Sequence, residues 1–139
     1  MHITLEADYA LRIVDTLARS TQRVGAKVIS EKTGVTLRFS MKILRKLVAR
    51  GIVRSYRGAG GGYEIARPLE EVTVYEVLEV IEGPLTLNRC LRKPQGCDRH
   101  PGKDCPYRKL FGRLSQQLKN ELSAVAFSDI VGRDEPSRI

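Results

Sequence analysis

The chain predicts a mainly α-helical fold carrying one small β-hairpin. Three observations support that expectation: apolar residues recur at helical spacing in several segments, the glycine-rich run 58–62 separates two strand-like stretches, and a long amphipathic segment lies near the C-terminus. Leu5 to Ala18 reads as the first helix, with Ala10, Ile13, Val14 and Leu17 on one face and Glu6 and Asp8 near its positive end. Val24 to Thr33 reads as a short second helix around Val28 and Ile29, stopped by Gly34. After a short turn, Thr36 is the expected N-cap of a third helix. Its predicted apolar stripe is Leu37, Met41, Leu44, Leu47 and Val48, closed by Gly51. Helix, turn, helix is the resulting pattern.

Residues 52–57 and 63–66 then form two expected strands, and the glycines between them can reverse the chain through positive φ. Thr73 to Glu76 has the form of a capping box, opening a helix whose Val74, Val77, Leu78 and Ile81 are expected to face inward and which Gly83 and Pro84 end. The longest expected helix runs from Asp104 to Phe127. Its Tyr107, Phe111, Leu114, Leu118, Leu122 and Val125 make a seam suited to a two-fold dimer. The expected organisation is a winged helix-turn-helix over 1–83, a cysteine loop over 84–105, a dimerisation helix over 106–131 and a flexible tail over 132–139.

The net charge of +8 suggests a polyanionic partner, but its distribution says more. From Leu37 to Arg57 there are seven bases, Arg38, Lys42, Arg45, Lys46, Arg50, Arg54 and Arg57, and no acid. On the third helix Arg38, Lys42 and Arg45 share a face away from the apolar stripe, as a DNA-reading helix requires. Arg54 and Arg57 with the glycine tip at Gly60 suit a wing that grips the phosphate backbone or enters the minor groove. A dinucleotide loop is excluded because Tyr63 stands where the last glycine of G-x-G-x-x-G is needed, with no strand-to-helix context. Nothing else forms a substrate-pocket constellation, so neither catalysis nor a small-molecule substrate is expected. No apolar run approaches the roughly 18 residues of a membrane span, and the first residues hold acids where a secretory signal has bases. A cytoplasmic protein without a membrane partner is expected.

The three cysteines, Cys90, Cys97 and Cys105, all fall in one Pro/Gly-rich basic stretch, where none of the neighbours builds a core. Their odd number argues against a disulfide framework. The spacings C-x6-C and C-x7-C contain no close pair of the kind structural zinc sites use. A zinc site of the three cysteines with His100 remains one alternative, and three unligated thiols another. Wide, loop-borne thiolates suit an iron–sulfur cluster better, because the sulfurs must reach different irons of a body larger than one ion. An iron–sulfur redox carrier is a further alternative, although a carrier has no need of the acid-free basic stretch.

Helix-turn-helix, the wing sequence from Val53 to Tyr63, the Thr73–Glu82 helix and three cysteines before a long helix together resemble the Rrf-two family of bacterial winged-helix regulators. The resemblance covers nearly the whole chain. It implies homodimers that bind palindromic double-stranded promoter DNA, dimerise through the long helix, and carry a 2Fe–2S or 4Fe–4S cluster whose state alters DNA affinity. It implies cluster ligation by Cys90, Cys97 and Cys105, and a repressor that responds to redox state, nitric oxide or iron status. IscR-like members place a histidine three residues beyond the third cysteine, where this chain has Arg108. NsrR-like members use a carboxylate of the partner subunit's first helix, a position matched by Asp8, with His100 as the competing ligand. The resemblance further directs Arg38, Phe39, Ser40 and Lys42 to the DNA. IscR-like members also have a base-reading glutamate where Met41 stands, so their operator preference does not transfer.

Overall fold

The computed structural model describes residues 2–93, 95, 97 and 104–132. Thr4 opens α1 (Leu5–Ala18) by accepting the Ala7 amide on its hydroxyl at 3.2 Å. Ala7, Ala10, Ile13, Val14 and Leu17 line one buried face. The alanines keep that face thin, so several neighbours reach the α1 backbone at once. α2 (Ala26–Thr33) and α3 (Leu37–Ala49) pack beside it, and Ile29, Ile43, Leu44 and Leu47 complete this part of the core.

The second helix is shorter than its sequence suggests. Val24 belongs instead to an isolated β-bridge, exchanging two backbone hydrogen bonds of 2.9 Å with Tyr63. The turn from α2 to α3 hinges on Gly34, whose φ of 73° is strained for any residue with a Cβ. Side chains staple the same turn. Ser30 donates to the Val35 carbonyl at 2.5 Å, Thr33 Oγ1 accepts from the Val35 amide at 3.3 Å, and Thr36 caps α3 by accepting from Phe39 at 3.3 Å.

The buried face of α3 is rotated from its expected position. Ser40, Ile43, Leu44 and Leu47 are buried, whereas Leu37 and Met41 are 45% and 37% exposed. The Ser40 hydroxyl, directed to the Val35 carbonyl at 3.4 Å, ties the helix to its own turn from inside. A polar side chain with a local acceptor thus takes a core position that hydropathy alone assigns elsewhere.

β1 (Val53–Tyr56) and β2 (Gly62–Ile65) form a two-stranded antiparallel hairpin with Arg54 opposite Glu64 and Tyr56 opposite Gly62. The Val24 bridge fastens β2 to the segment before α2. Gly62 makes that approach possible, since a Cβ there would lie 2.8 Å from the Val24 carbonyl group.

A 3-10 turn at Leu69–Glu71 leads to α4 (Val74–Glu82), where Tyr75, Val77 and Leu78 are buried. Only half of the expected capping box forms here: Thr73 accepts the Glu76 amide, but the Glu76 carboxylate accepts from Arg67 at 2.7 Å. The cysteine segment contains a four-residue helix, α5 (Arg89–Arg92), which the sequence did not suggest.

The long C-terminal helix is α6 (Pro106–Ser123), and it is followed by a separate short helix, α7 (Phe127–Val131). The break has a backbone cause. Val74 donates to the Val125 carbonyl at 3.0 Å and Phe127 to the Val72 carbonyl at 2.9 Å, so residues 124–126 leave the helix to pair beside Thr73. Phe127, 1% exposed, then enters the core, while Tyr107, Leu110, Leu114 and Leu118 of α6 remain exposed. No helix among the described residues is long and apolar enough to cross a membrane.

Phe127 is the anchor that returns the end of α6 to the rest of the molecule. Phe127→Ala is expected to cost about 3–5 kcal/mol through lost burial and the cavity left behind. Urea unfolding followed by far-UV circular dichroism checks it, and a loss under about 1 kcal/mol would show that α7 is not part of the cooperative core.

Candidate nucleic-acid interface and cysteine site

α3 presents its basic side outward because its opposite side is committed to the core. Arg38, Lys42 and Arg45 are exposed, with Leu37 and Met41 beside them. Ser40, expected at this face, stands elsewhere, whereas Phe39 borders it with Lys42 Nζ 5.4 Å from its ring centroid. Ser40 is fully buried with its hydroxyl directed inward, which removes it from any surface contact. Phe39 is half-buried and meets Tyr9 of α1 edge to face, with ring centroids 5.6 Å apart.

Lys42 and Lys46 are drawn toward α1 by an acid the sequence analysis did not assign to this face. Glu6 Oε1 lies 2.6 Å from Lys46 Nζ, and its Oε2 lies 3.5 Å from Lys42 Nζ. The hydrogen bond from Lys46 is the main reason the Glu6 carboxyl is held below its ordinary value, opposed by partial burial and aided by the charges of both lysines. Glu6 thus ties the first turn of α1 to the basic helix. Glu6 and these lysines are about 40 residues apart in the chain, so no local spacing pairs them.

The wing is braced at its root. Arg23 stacks over the Tyr56 ring at 3.3 Å from its centroid and lies 3.9 Å from Glu64, while the Tyr56 hydroxyl donates to Glu64 at 2.6 Å. Arg54 and Arg57 are exposed along the first arm and its end, and Gly60, with φ of 73°, is exposed at the tip. The Arg54 guanidinium, cationic at any working pH like every arginine, is held further above its ordinary pKa mainly by its hydrogen bond with Tyr56, with a smaller contribution from Glu64.

Cys90 lies in α5, behind the Asn88 side chain that caps the Cys90 amide at 3.4 Å. Cys105 is the N-cap residue of α6, with Pro106 in the first turn. Cys97 lies between them. All three are partly buried and none forms a disulfide. Cys105 stands at the positive end of an 18-residue helix, where a negatively charged ligand set is favoured.

Asp8 lies in the first turn of α1, 46% exposed, with Oδ2 2.7 Å from Arg12. Arg12 also reaches the Thr33 carbonyl at 3.5 Å, linking Asp8 to the end of α2. The four-residue spacing of Asp8 and Arg12 was a readable signal for this pair. Among the described residues no three His, Cys, Asp or Glu side chains converge on a point suited to one metal ion, so Asp8 and the cysteines of one chain are not gathered together. His100 lies outside the described residues. Arg108, three residues beyond Cys105, is half-buried on α6 and has no lone pair to offer a metal. A soft donor set spread over a short helix, a loop and a helix cap suits a multi-iron body better than a single ion.

A short helix-turn-helix with an exposed basic face, followed by a braced hairpin wing, defines a DNA-binding module of the kind transcriptional regulators carry. Residues 3–133 match the family model of Rrf2, described as an iron-dependent transcriptional regulator, and the chain belongs to this family. A putative HTH-type transcriptional regulator, ORF2 of Azotobacter vinelandii, is 31% identical over 97% of this chain and 82% of its own. The IscR regulator of Photorhabdus laumondii is 28% identical over the same shares. Among solved structures, T. potens IscR has a TM-score of 0.78 at 20% identity, covering 100% of this chain and 92% of that one. CymR, the global cysteine regulator of B. subtilis, has a TM-score of 0.76 at 22% identity, covering 95% and 97%. These two structures share the winged-helix fold. The relatives are named as regulators rather than enzymes, in line with the basic surface.

The Glu6 clasp carries a sign that can be tested. Because the folded pKa is lowered, its stabilisation is fully present above the ordinary value of 4.5 and is lost as pH falls through the folded value. Glu6→Gln is expected to lower stability by about 0.5–1 kcal/mol at neutral pH. The difference from the unmodified protein should vanish in acid, as denaturation midpoints across a pH series would show.

Proposed function

We propose that this protein is a homodimeric repressor of promoter DNA whose affinity responds to redox state, nitric oxide or iron status through a cluster at Cys90, Cys97 and Cys105. The observation carrying the reading is that Cys90 lies in α5 and Cys105 caps α6, with Cys97 in the chain between them, all joined to a winged helix-turn-helix. Membership of a family described as iron-dependent supports it, as does the IscR relative. When bound, a 2Fe–2S or 4Fe–4S cluster would supply electron exchange and an iron ligand sphere that small oxidants and nitric oxide can attack.

The chain's own residues divide the remaining work. Arg38, Lys42 and Arg45 of α3 approach the major groove, with Leu37 and Met41 available for apolar contact to thymine methyl groups. Arg54, Arg57 and the backbone around Gly60 meet phosphate or the adjacent minor groove. The exposed apolar side chains of α6 join two copies. Asp8 of one copy would complete the thiolate set of the other and would then give up its ion pair with Arg12. That exchange places the sensor across the dimer, so that a change in ligation alters how two recognition helices are spaced.

A second reading keeps the regulator and removes the iron: a winged-helix protein with a zinc-stiffened loop, involving His100, or with free thiols. The lack of a gathered ligand set among the described residues is in keeping with its unligated-thiol form. Anaerobically isolated protein decides between them. A coloured preparation with iron and acid-labile sulfide, bleached by nitric oxide, supports the first; a colourless preparation without iron overturns it, and bound zinc marks the stiffened version.

The cross-subunit ligand predicts complementation. Asp8→Ala and Cys90→Ser chains are each expected to lose the visible chromophore, whereas co-folded mixed dimers recover one cluster per dimer. Full chromophore in Asp8→Ala alone excludes the carboxylate. For DNA, Arg45→Ala is expected to weaken binding and reduce the slope of log affinity against log salt by about 1 if it contacts phosphate. Fluorescence anisotropy on a palindromic operator over a salt series measures both.

A further inference from the structure

The sequence analysis assigned no role to Ser115 or Gly112, yet Gly112 faces α5, the helix that carries Cys90, and Ser115 faces the segment just before it. The Leu87 amide donates to Ser115 Oγ at 3.0 Å across 28 residues of sequence, and the Ser115 hydroxyl donates to the Phe111 carbonyl at 2.6 Å. Ser115 is buried although Leu114 and Leu118 beside it on α6 are exposed. A serine buried between exposed leucines marks a docking face rather than part of a general core. One turn earlier, a Cβ added at Gly112 would lie 3.6 Å from Leu91 Cδ2, at ordinary contact distance, so Gly112 is where α6 and Leu91 meet. Leu91 adjoins Cys90, and Cys105 is the N-cap of α6.

We propose that Ser115 and Gly112 are positioning residues for the cysteine site, making α6 its base: Cys105 is held directly at the helix cap, and Cys90 through the docked α5 segment. The inference rests on the cluster reading for its purpose, but the docking can be read out without a cluster. Neither residue is a candidate cluster ligand. Ser115 satisfies the Leu87 amide and fixes where α5 begins, while Gly112 sets how closely Leu91 approaches.

The test uses the full-length, metal-free protein and follows hydrogen exchange at residues 85–93 together with alkylation of Cys90. Slow exchange of the Leu87 amide in the unmodified protein is expected; exchange at the rate of an unstructured peptide would overturn the docking without any variant. Ser115→Ala and Gly112→Leu should each raise Cys90 alkylation about tenfold by favouring the undocked segment, while Gly112→Ala stays within about twofold. Circular dichroism and low-salt DNA binding confirm that the variants fold. Folded Ser115→Ala and Gly112→Leu chains with unchanged alkylation would sink the proposal. After anaerobic reconstitution the same two variants should lose chromophore about tenfold faster, an outcome that a purely structural role far from Cys90 would not produce. A colourless unmodified protein would instead refute the cluster reading, leaving the exchange and alkylation results to judge the docking.

Discussion

One buried face of α1 organises the molecule. Ala7, Ala10, Ile13, Val14 and Leu17 are nearly inaccessible, and α2, α3, α4, β2 and α7 all pack against this helix. Small side chains in its first half bring neighbouring backbones close, and branched ones further along fill the space between them. With that face enclosed, the polar side of the same helix has a determined direction. Glu6 meets the basic helix, and Asp8 and Arg12 meet the surface beside the end of α2. A disturbance in the first turn of α1 therefore reaches α3 through Glu6 and the end of α2 through Arg12.

The charge pattern acquires a different meaning once folded. In the chain the bases from Leu37 to Arg57 form an unbroken cationic stretch. In space they separate into two groups. Lys46 and Arg50 pair with Glu6 and Glu79 and brace α3 against α1 and α4, whereas Arg38, Arg45, Arg54 and Arg57 remain exposed. Lys42 lies between the groups, exposed yet within 3.5 Å of Glu6. Exposed ion pairs contribute little to stability, so the bracing matters more for orientation than for total free energy. The wing follows the same logic: Arg23, Tyr56 and Glu64 hold its root while its tip stays open.

The cysteine segment depends on α6 more than on its own chain. α5 has four residues, too few to be stable as an isolated helix. Its order comes from Asn88 at its start, Ser115 beneath Leu87, and Gly112 opposite Leu91. α6 is in turn tied to the DNA-binding part by Phe127, whose burial follows a break where backbone groups turn to pair with Val72 and Val74. Cys90 and Cys105 are thus connected to the DNA-binding part through α6, which also packs against α4.

The sequence by itself determined the bounds of α1, the stop at Gly34, the Thr36 cap, the hairpin and the clustering of the cysteines, because each is set by residues adjacent in the chain. Local periodicity, positive φ at glycine and side-chain caps act over a few residues and are legible without a fold. Tertiary structure alone decided that Ser40 is inside while Leu37 and Met41 are outside, and that Val24 joins the sheet. It also decided that the last long helix breaks before Phe127, and that Glu6, Ser115 and Gly112 meet residues distant in sequence. Each of those outcomes depends on a partner many residues away, whose hydrogen bond or buried surface outweighs a local preference worth only tenths of a kcal/mol per residue.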